Sequence, residues 1–395
     1  MHSYPPAFEN WWIQKACKTL ACREIKDCAK HLENDIQHLS DLLTTERSLS
    51  FGGYAGDERS LLAYGLFFFP QTFARIQFPL LETILFHGWN PPDSRPLRIL
   101  DLGAGTGAAS FGILHLLQQE NPASPIHVTA VEQSTPSLGI LKKLAADQAS
   151  EYPNASFEFR QGDLVDFSSW LQPDDPPWDI VVLSFSLNEA FFGSARSVIR
   201  GWLTELAGRL SFHGIILITE PVLKEDNDRL EHLRDALVKD PAPPHVWSPC
   251  PHQQPCPLFS SNRFTCHEVR NWNPPESLSL LNRHLFREIH LLKFSFLILG
   301  KTPAPKPSDP AQVRLLAPVT QVKGRLITAG CAADGCRHEY ELQTRGMDRP
   351  AIKQLCLLSR GDILHIANPK PVGSHSIMRI PDAAAIRTMF TLNPK

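Results

Sequence analysis

Three cysteines lie close together in a segment that is rich in proline and too polar to form a core. Cys250, Cys256 and Cys266 belong to WSPCPHQQPCPLFSSNRFTCHEV, residues 247–269. Clustered thiolates of reduced proteins commonly bind a metal. The spacing, C-x5-C-x9-C, lacks the close cysteine pairs of zinc ribbons, whereas Cys-Pro steps such as Cys250-Pro251 occur near iron–sulfur ligands. The segment therefore predicts a metal site, and the spacing leaves iron–sulfur and zinc both open.

A metal site of this kind needs a fourth ligand, and the sequence offers several. ITAGCAADGCRHEY, residues 327–340, contains Cys331 and Cys336. His252 and His267 keep a zinc site open, because imidazole is a good zinc ligand.

The remaining cysteines are predicted to be packing residues. Cys17, Cys22 and Cys28 are spaced by five and six residues on a helical stretch, which does not suit a chelate carried by one helix. Cys356, in IKQLCLLSRGD, is expected in a core.

A glycine loop suggests a second site. ILDLGAGTGAASFGILHLL, residues 99–117, has the pattern of a strand, a tight loop and a helix. Gly103, Gly105 and Gly107 allow the backbone, including Ala104, to approach a ligand beside a helix N-terminus. The spacing Gly103-x-Gly105-x-x-Ala108 also satisfies the dinucleotide fingerprint, so the loop alone leaves an NAD enzyme open.

Three acidic residues favour S-adenosylmethionine over NAD. Asp101 precedes the loop inside the first strand, Glu132 closes the second strand, and Asp163 follows the third. They could meet an amino group, two ribose hydroxyls and an adenine amino group, respectively. The pyrophosphate of NAD would gain nothing from Asp101, and Glu132 lies further along the chain than the dinucleotide pattern expects. Singly, Asp101 could instead cap a helix and Asp163 could belong to a turn.

The position after the fourth strand is where a methyltransferase usually carries its catalytic groups. Here WDIVVLSFSLNEAFF, residues 178–192, contains neither an Asn/Asp-Pro-Pro-aromatic loop nor a cysteine. Asn188 and Glu189 are the candidate catalytic residues, because they could position an amine or accept a proton. They could equally cap the following helix.

These residues must be positioned by an α/β fold, because strand-like and helical runs alternate from residue 97 to about 235. We expect a Rossmann-like parallel sheet with helices on both faces. A glycine-rich break is predicted over 48–60 and a proline-rich linker over 302–310. The predicted organisation is a helical region (1–90), the Rossmann-like domain (97–240), a cysteine-rich segment with the final sheet strands (241–301) and a small β domain (311–395).

Charge is divided unevenly along the chain. Residues 1–240 contain 20 Lys and Arg against 31 Asp and Glu, and residues 241–395 contain 19 against 10, so the two parts carry 20 − 31 = −11 and 19 − 10 = +9. The basic part predicts contact with a polyanion such as RNA. No apolar run has the length of a membrane span, and no signal peptide is visible, so we expect a cytoplasmic monomer that does not associate with membranes.

The ordered motifs together resemble the methyltransferase-like family of small-ribosomal-subunit assembly factors, known from mitochondria and with bacterial relatives. The matching segments are LLAYGLFFFPQTFARI, LDLGAGTGAAS, SFSLNEA, ITEPVL, SPCPHQQPCPL, FTCHEV, KFSFLILGK and KGRLITAGCAADG. Departures are a phenylalanine (Phe67 or Phe68) at a usual arginine, Val222 at a usual glycine, and Phe264 at a usual tryptophan.

The resemblance implies S-adenosylmethionine binding at the glycine loop and the three acids, and a four-cysteine [4Fe–4S] cluster. The implied cluster ligands are Cys250, Cys256, Cys266 and Cys331, since Cys331 occupies the family's Cys-x-x-Asp-Gly position. It also implies association with small-subunit ribosomal RNA or a pre-ribosomal particle. Three readings follow: an RNA-binding assembly factor, an active RNA methyltransferase, or a zinc-containing methyltransferase of a small molecule or protein.

Overall fold

The computed structural model describes residues 3–44, 57–121, 123–259, 265–285, 289–305 and 309–392. Most of the predicted glycine-rich break, residues 48–56, lies outside the described residues. Phe264 and the middle of the predicted proline linker, residues 306–308, also lie outside them.

Helices dominate the N-terminal region and flank the first sheet. They are α1 (Pro6–Thr19), α2 (Ile25–Thr44), α3 (Glu58–Ala63), α4 (Phe69–Leu81), α5 (Ala108–Glu120), α6 (Thr135–Asp147), α7 (Leu187–Ala190), α8 (Arg196–Gly208), α9 (Lys224–Val238), α10 (Glu276–His284) and α11 (Arg349–Leu355). Single-turn π-helices span Tyr64–Phe68 and Glu82–Phe86, and 3-10 turns span Phe167–Ser169 and Ala383–Ala385. Within the described residues, no helix is both long and apolar enough to cross a membrane.

The first sheet has a doubly wound topology. Its strands are β1 (Leu97–Leu102), β2 (Ile126–Glu132), β3 (Ala155–Gln161), β4 (Trp178–Ser184), β5 (Leu210–Glu220), β6 (His245–Ser248), β7 (Glu268–Asn271) and β8 (Leu291–Gly300). They follow the order β3-β2-β1-β4-β5-β8-β6, and β7 also pairs with β8. Strands β1 to β5 are parallel, as predicted, whereas β8 runs antiparallel to β5.

Both faces of this sheet are covered by helices, which explains why its central strands are almost continuously apolar. On one face, aromatic side chains of α1, α4 and α5 form a core; the rings of Phe8 and Phe111 lie 4.9 Å apart. On the other face, Trp202 and Leu203 of α8 and Leu230 of α9 pack against the strands. The Rossmann-like α/β fold predicted from the sequence is confirmed.

Strand order reverses between β1 and β4, because β2 lies on one side of β1 and β4 on the other. The carboxyl ends of parallel strands open a crevice at such a switch point, and ligands bind there in open α/β sheets. The fold therefore brings the glycine loop after β1 and the segment after β4 to the same edge.

A second sheet forms the C-terminal part. Its strands are β9 (Gln312–Leu315), β10 (Thr320–Val322), β11 (Arg325–Ala332), β12 (Arg337–Gln343), β13 (Ile363–Ile366), β14 (Lys370–Val372), β15 (Ser374–Ile380) and β16 (Ile386–Phe390). They follow the order β14-β15-β12-β11-β9-β13-β16, with β10 beside β11. Leu315, Tyr340 and Leu364 belong to a separate core beneath this sheet.

Buried ion pairs join the second sheet to the rest of the molecule. Arg314 on β9 pairs with Glu82 and, at 3.0 Å, with Glu268 on β7. Arg270 on β7 in turn pairs with Asp362, at 3.0 Å. All five side chains are at most 5% exposed. Because an isolated buried charge is costly, these pairs fix the register between the two parts.

Candidate functional site

A large cavity opens at the carboxyl ends of the parallel strands. Its volume is about 1010 Å³, at the upper end of the range for small-molecule sites. The glycine loop forms one wall, and the three acids predicted to bind a cofactor all line it: Asp101, Glu132 and Asp163. Seven residues between 61 and 75 in the N-terminal helical region also line the cavity.

The glycine loop is shaped for close approach of a ligand. Gly103 has φ of +75°, and a Cβ atom there would lie 2.5 Å from the Cβ of Ser186. Ser186 donates its hydroxyl proton to the carbonyl oxygen of Leu102, at 2.7 Å, and so ties the segment after β4 to the loop. A side chain at position 103 would force these two segments apart.

Glu132 is the last residue of β2, and its side chain hydrogen-bonds to the backbone of the glycine loop. Its carboxylate accepts the backbone N–H of Gly105 at 2.8 Å and that of Ser134 at 2.7 Å. Burial raises the pKa of Glu132, and these backbone N–H groups partly oppose the shift. Each carboxylate oxygen keeps further acceptor capacity, so the side chain can still accept ribose hydroxyls.

Asp101 performs the helix-capping role that the sequence left open and also lies in the cavity wall. Its carboxylate accepts the backbone N–H of Ser110 in the first turn of α5, at 3.1 Å, and the Ser110 hydroxyl, at 2.5 Å. Burial raises the pKa of Asp101 to about 6. The charged form is thus poorly solvated, and a cationic group in the cavity would stabilise it.

Asp163 forms a turn and remains exposed at the cavity edge. Its side chain accepts the backbone N–H of Val165 at 3.0 Å. The turn and the cavity position are compatible, because only one carboxylate oxygen is used.

The two candidate catalytic residues differ in their access to the cavity. Glu189 lines the cavity, whereas Asn188 is not among its lining residues and is 4% exposed. The backbone N–H of Asn188 donates to Glu220 at 3.0 Å. Both residues lie in α7, so Glu189 is the one placed where a ligand could meet it.

Residues of the N-terminal helices complete the cavity, and the sequence reasoning missed them. Tyr64 and Arg75 line it, and burial raises the pKa of Tyr64 to about 12 and lowers that of Arg75 to about 10. The available signal is a single charged residue, Arg75, within the run FFFPQTFARIQF, which is otherwise uncharged and mostly apolar.

Cys250, Cys256 and Cys266, the three cysteines of the proline-rich segment, line one small cavity of about 20 Å³ beside α9. Burial raises the pKa of all three thiols, and the proximity of Cys250 raises those of Cys256 and Cys266 further. A bound cation of high charge would have the opposite effect on these pKa values, because it stabilises the deprotonated thiolates.

Helix α9 holds the cysteine segment in place through backbone contacts. The N–H of Cys256 donates to Asp235 at 3.0 Å, and that of Cys266 donates to Glu231 at 3.0 Å. Arg234, between these acids, donates to the carbonyl oxygens of residues 252 and 254. One face of α9 therefore fixes the path of the segment.

Cys331 reaches the same region from β11 of the second sheet. It is buried, and Cys250 and Cys256 lie close enough to raise the pKa of its thiol, after the larger effect of burial. Its sulfur lies 3.3 Å from Nε2 of His252. Cys336, the other candidate, is exposed and groups with Asp334 and His338 instead, their ligand atoms lying within 4.8 Å of one another.

The model of the family described as mitochondrial small ribosomal subunit Rsm22 matches residues 58–362. The chain belongs to the Rsm22 family. The resemblance found in its motifs is thereby confirmed. The matched range of this Rsm22 chain contains both the cavity acids and the four converging cysteines.

One relative is the human mitochondrial ribosome assembly protein METTL17, which is 27% identical over 290 residues. The alignment covers 70% of this chain but only 57% of the relative. Solved structures with a similar shape include a class I S-adenosylmethionine-dependent methyltransferase from Listeria monocytogenes (TM-score 0.39, 13% identity, 77% of this chain and 94% of that one). Another is the magnesium protoporphyrin IX methyltransferase of Synechocystis (TM-score 0.34, 9% identity, 68% of this chain and 100% of that one).

Proposed function

We propose that this protein binds S-adenosylmethionine in the large cavity, holds a [4Fe–4S] cluster on four cysteines, and binds small-subunit ribosomal RNA during ribosome assembly. The observation that carries the proposal is the meeting of three strand-end acids and a glycine loop around one cavity. S-adenosylmethionine supplies a methyl group on a sulfonium centre. The cation and the ribose of this cofactor match the acids available.

The cavity also offers a hydrogen-bonding group without a partner. The hydroxyl of Thr106, within the glycine loop, is buried and makes no hydrogen bond among the described residues. An orphaned buried hydroxyl is destabilising unless a ligand satisfies it. The proposed roles are ribose binding for Glu132, adenine binding for Asp163, and contact with the cationic end for Asp101.

Isothermal titration with S-adenosylmethionine tests this part of the proposal. We expect Glu132→Gln to weaken binding by about tenfold or more, because a charged hydrogen-bond acceptor is lost. Asp163→Asn and Asp166→Asn form a matched pair in one loop, since Asp166 is not among the cavity-lining residues. Equal effects of the two Asn variants, or no binding by the wild type, would contradict the proposed cofactor site.

The spacing of the sulfurs supports an iron–sulfur cluster rather than one zinc ion. Zinc bound tetrahedrally at 2.3 Å would place its four sulfurs about 3.8 Å apart. Within the described part of the chain, Asp334, Cys336 and His338 are the only trio whose ligand atoms all lie within 4.8 Å of one another. In every trio taken from the sulfurs of Cys250, Cys256, Cys266 and Cys331, at least one pair therefore lies more than 4.8 Å apart, which favours a polynuclear cluster over one ion.

A cluster held in this way would join distant parts of the chain. Three ligands come from the segment beside α9, and the fourth comes from β11 in the second sheet. A metal that closes so long a loop stabilises the folded arrangement and fixes the orientation of the second sheet.

The proposed RNA-binding surface is the basic C-terminal part. Among the described residues of the second sheet region, eight lysines and arginines are exposed to solvent: Lys323, Arg325, Arg345, Arg349, Lys353, Lys370, Arg379 and Arg387. The human relative, a ribosome assembly protein, supports the choice of ribosomal RNA as the polyanion.

Salt-dependent binding to a small-subunit ribosomal RNA fragment tests this surface. We expect the triple variant Lys323→Gln, Lys353→Gln, Lys370→Gln to weaken binding and to reduce the slope of log affinity against log salt by about two to three. The charge-matched control changes Lys142, Lys143 and Lys224, which are exposed on α6 and α9. Equal losses in both triple variants would contradict a specific basic surface.

Methyl transfer is tested in the same system with labelled S-adenosylmethionine. Label that enters the RNA and is lost in Glu189→Gln would assign a catalytic role to Glu189. Binding of RNA and cofactor without transfer of the methyl group would instead favour an RNA-binding assembly factor that is not an active methyltransferase.

A further inference from the structure

Arg75 has a partly buried cationic side chain without an acidic partner among the described residues. It lies on α4 and lines the large cavity. Its Nη2 donates to the side-chain oxygen of Gln71 at 2.9 Å, and its Nε has no hydrogen-bond partner. Of the residues that the structure describes, no carboxylate lies within ion-pair distance of this guanidinium, in contrast to the buried Arg314.

A cation that is partly withdrawn from water without an ion-pair partner is costly, and loss of solvation lowers the pKa of Arg75. At neutral pH the guanidinium nevertheless remains charged, because its pKa stays near 10. Such a group lowers the stability of the protein without ligand. An anionic group of the ligand that pairs with the guanidinium in the cavity would offset this loss.

Arg75 lies at one particular end of the cavity. Tyr64 is near Glu189, Arg75 and Asp101, since all three charges act on the pKa of its hydroxyl. The Cζ atom of Arg75 also lies 5.3 Å from the ring centre of Phe185, the residue that follows β4. These contacts place Arg75 beside the ends of β1 and β4, the end that holds Asp101.

Phe185 adopts a backbone conformation that phenylalanine rarely uses. Its φ is +62°, in the left-handed region. Strained residues of this kind persist where the surrounding structure requires them and often lie at functional sites. Here the conformation places an aromatic face under the guanidinium, which stabilises its charge without neutralising it.

We propose that Arg75 binds the α-carboxylate of the methionine part of S-adenosylmethionine. The inference rests on the proposed cofactor site and adds the group that recognises the end of the cofactor away from the adenosine. That end carries one ammonium and one carboxylate. Asp101 supplies the negative charge for the former, and Arg75, the less exposed of the two cations among the described lining residues, supplies the positive charge for the latter.

Isothermal titration with two ligands tests this assignment: S-adenosylmethionine and its decarboxylated analogue. The wild type is expected to prefer the carboxylated form by about 10- to 100-fold, the usual effect of a charged hydrogen bond. In Arg75→Gln that preference falls to within about threefold, whereas affinity for the decarboxylated analogue changes little. Arg75→Lys, which keeps the charge but not the planar fork, retains part of the preference.

Lys293→Gln is the control, because Lys293 lines the same cavity but is exposed to solvent. Its preference for the carboxylated ligand should match that of the wild type. Thermal unfolding distinguishes a role in ligand binding from a role in stability. Arg75→Gln should be at least as stable as the wild type, since the substitution removes a charge that has no ion-pair partner.

The outcomes are distinguishable from failure of the proposed function. If the wild type binds neither ligand, the cofactor site itself is wrong. If the wild type binds both equally, or if Arg75→Gln and Lys293→Gln keep or lose the preference alike, the assignment of Arg75 is overturned. A variant that keeps its preference but loses RNA affinity would assign the missing anion to a phosphate and would also overturn it.

Discussion

The buried Arg314 gives the sharpest test of how the second sheet is attached. Its guanidinium contacts the carboxylates of Glu82 and Glu268 and donates to the carbonyl oxygens of Pro249, at 2.6 Å, and Gly361, at 3.2 Å. These partners belong to the second π-helix, β7, the cysteine segment and the turn that precedes β13. Replacing Arg314 by methionine keeps the approximate volume and removes all of these contacts at once.

The expected effect is large because Glu82 would be left buried without a cationic partner, whereas Glu268 keeps Arg270 at 2.9 Å. Glu82 and Glu268 are 3% and 5% exposed, and removal of one partner from a buried ion pair costs about 3–5 kcal/mol. Burial already raises the pKa of Glu82, and Arg314 opposes that shift. Without Arg314 the Glu82 pKa rises further, so the native state of the variant binds a proton that the unfolded state has released. Its stability should therefore fall as pH rises.

Urea unfolding at two pH values measures this effect. Tryptophan fluorescence and circular dichroism must give coincident transitions for a two-state treatment. We expect Arg314→Met to lose about 3–5 kcal/mol at pH 8 and less at pH 6. The double variant Arg314→Met, Glu82→Gln should recover part of the loss, because one uncompensated charge is removed.

Arg325→Met is the matched control. Arg325 pairs with Glu341 at 2.8 Å but is 50% exposed, and Arg379 remains to pair with the same carboxylate. An exposed pair of this kind contributes about 0–1 kcal/mol. If the two methionine variants lose equal stability, the argument that buried pairs fix the second sheet is refuted.

Two further predictions concern the cavity. Burial raises the pKa of Asp101 from 3.8 to about 6, so the stability of the empty protein should fall as pH rises through that window. Asp101→Asn should remove this dependence and stabilise the protein at pH 7.5 by about 1–3 kcal/mol while weakening cofactor binding; urea titrations across pH 4–7.5 that show parallel profiles would contradict it. Gly103→Ala should lose about 1–3 kcal/mol, because φ is +75° and the new Cβ would meet Ser186. Gly139→Ala, in α6 with open space around the position, should instead gain about 0.5–1 kcal/mol, and equal thermal shifts for the two alanine variants would count against the close-approach argument.

The acids of the cavity could be found from the sequence because the topology of a parallel sheet brings successive strand ends together. Asp101, Glu132 and Asp163 were each ambiguous alone, and their order along alternating strands and helices removed most of the ambiguity. The same logic could not find Arg75. Its place in the cavity depends on how α4 packs across the sheet, and periodicity does not encode that packing.

The cysteine site was predictable in part for a different reason. Clustered thiols in a polar, proline-rich segment indicate ligands, but Cys331 lies 65 positions after Cys266 and comes from another sheet. The choice of Cys331 over Cys336 depended on a family motif. The structure gives the physical distinction, since Cys331 is buried beside the other thiols and Cys336 is exposed beside Asp334 and His338.

Several strands of the second sheet escaped the sequence analysis. β10 and β14 have three residues each and lie largely exposed, so neither shows the apolar alternation that identifies a strand. The antiparallel direction of β8 was also missed. The run KFSFLILGK indicates a buried strand, but its direction depends on the chain reversal through β6, β7 and α10.

The central claim is that four cysteines from two sheets hold one iron–sulfur cluster beside a cofactor-binding methyltransferase fold. Anaerobic purification followed by an absorption spectrum and by iron, sulfide and zinc analysis tests it most directly, with Cys331→Ser and Cys336→Ser measured alongside. We expect a brown protein with about four irons and four sulfides per chain, lost in Cys331→Ser and retained in Cys336→Ser. A colourless protein that carries one zinc ion, or a cluster that survives Cys331→Ser, would contradict the account.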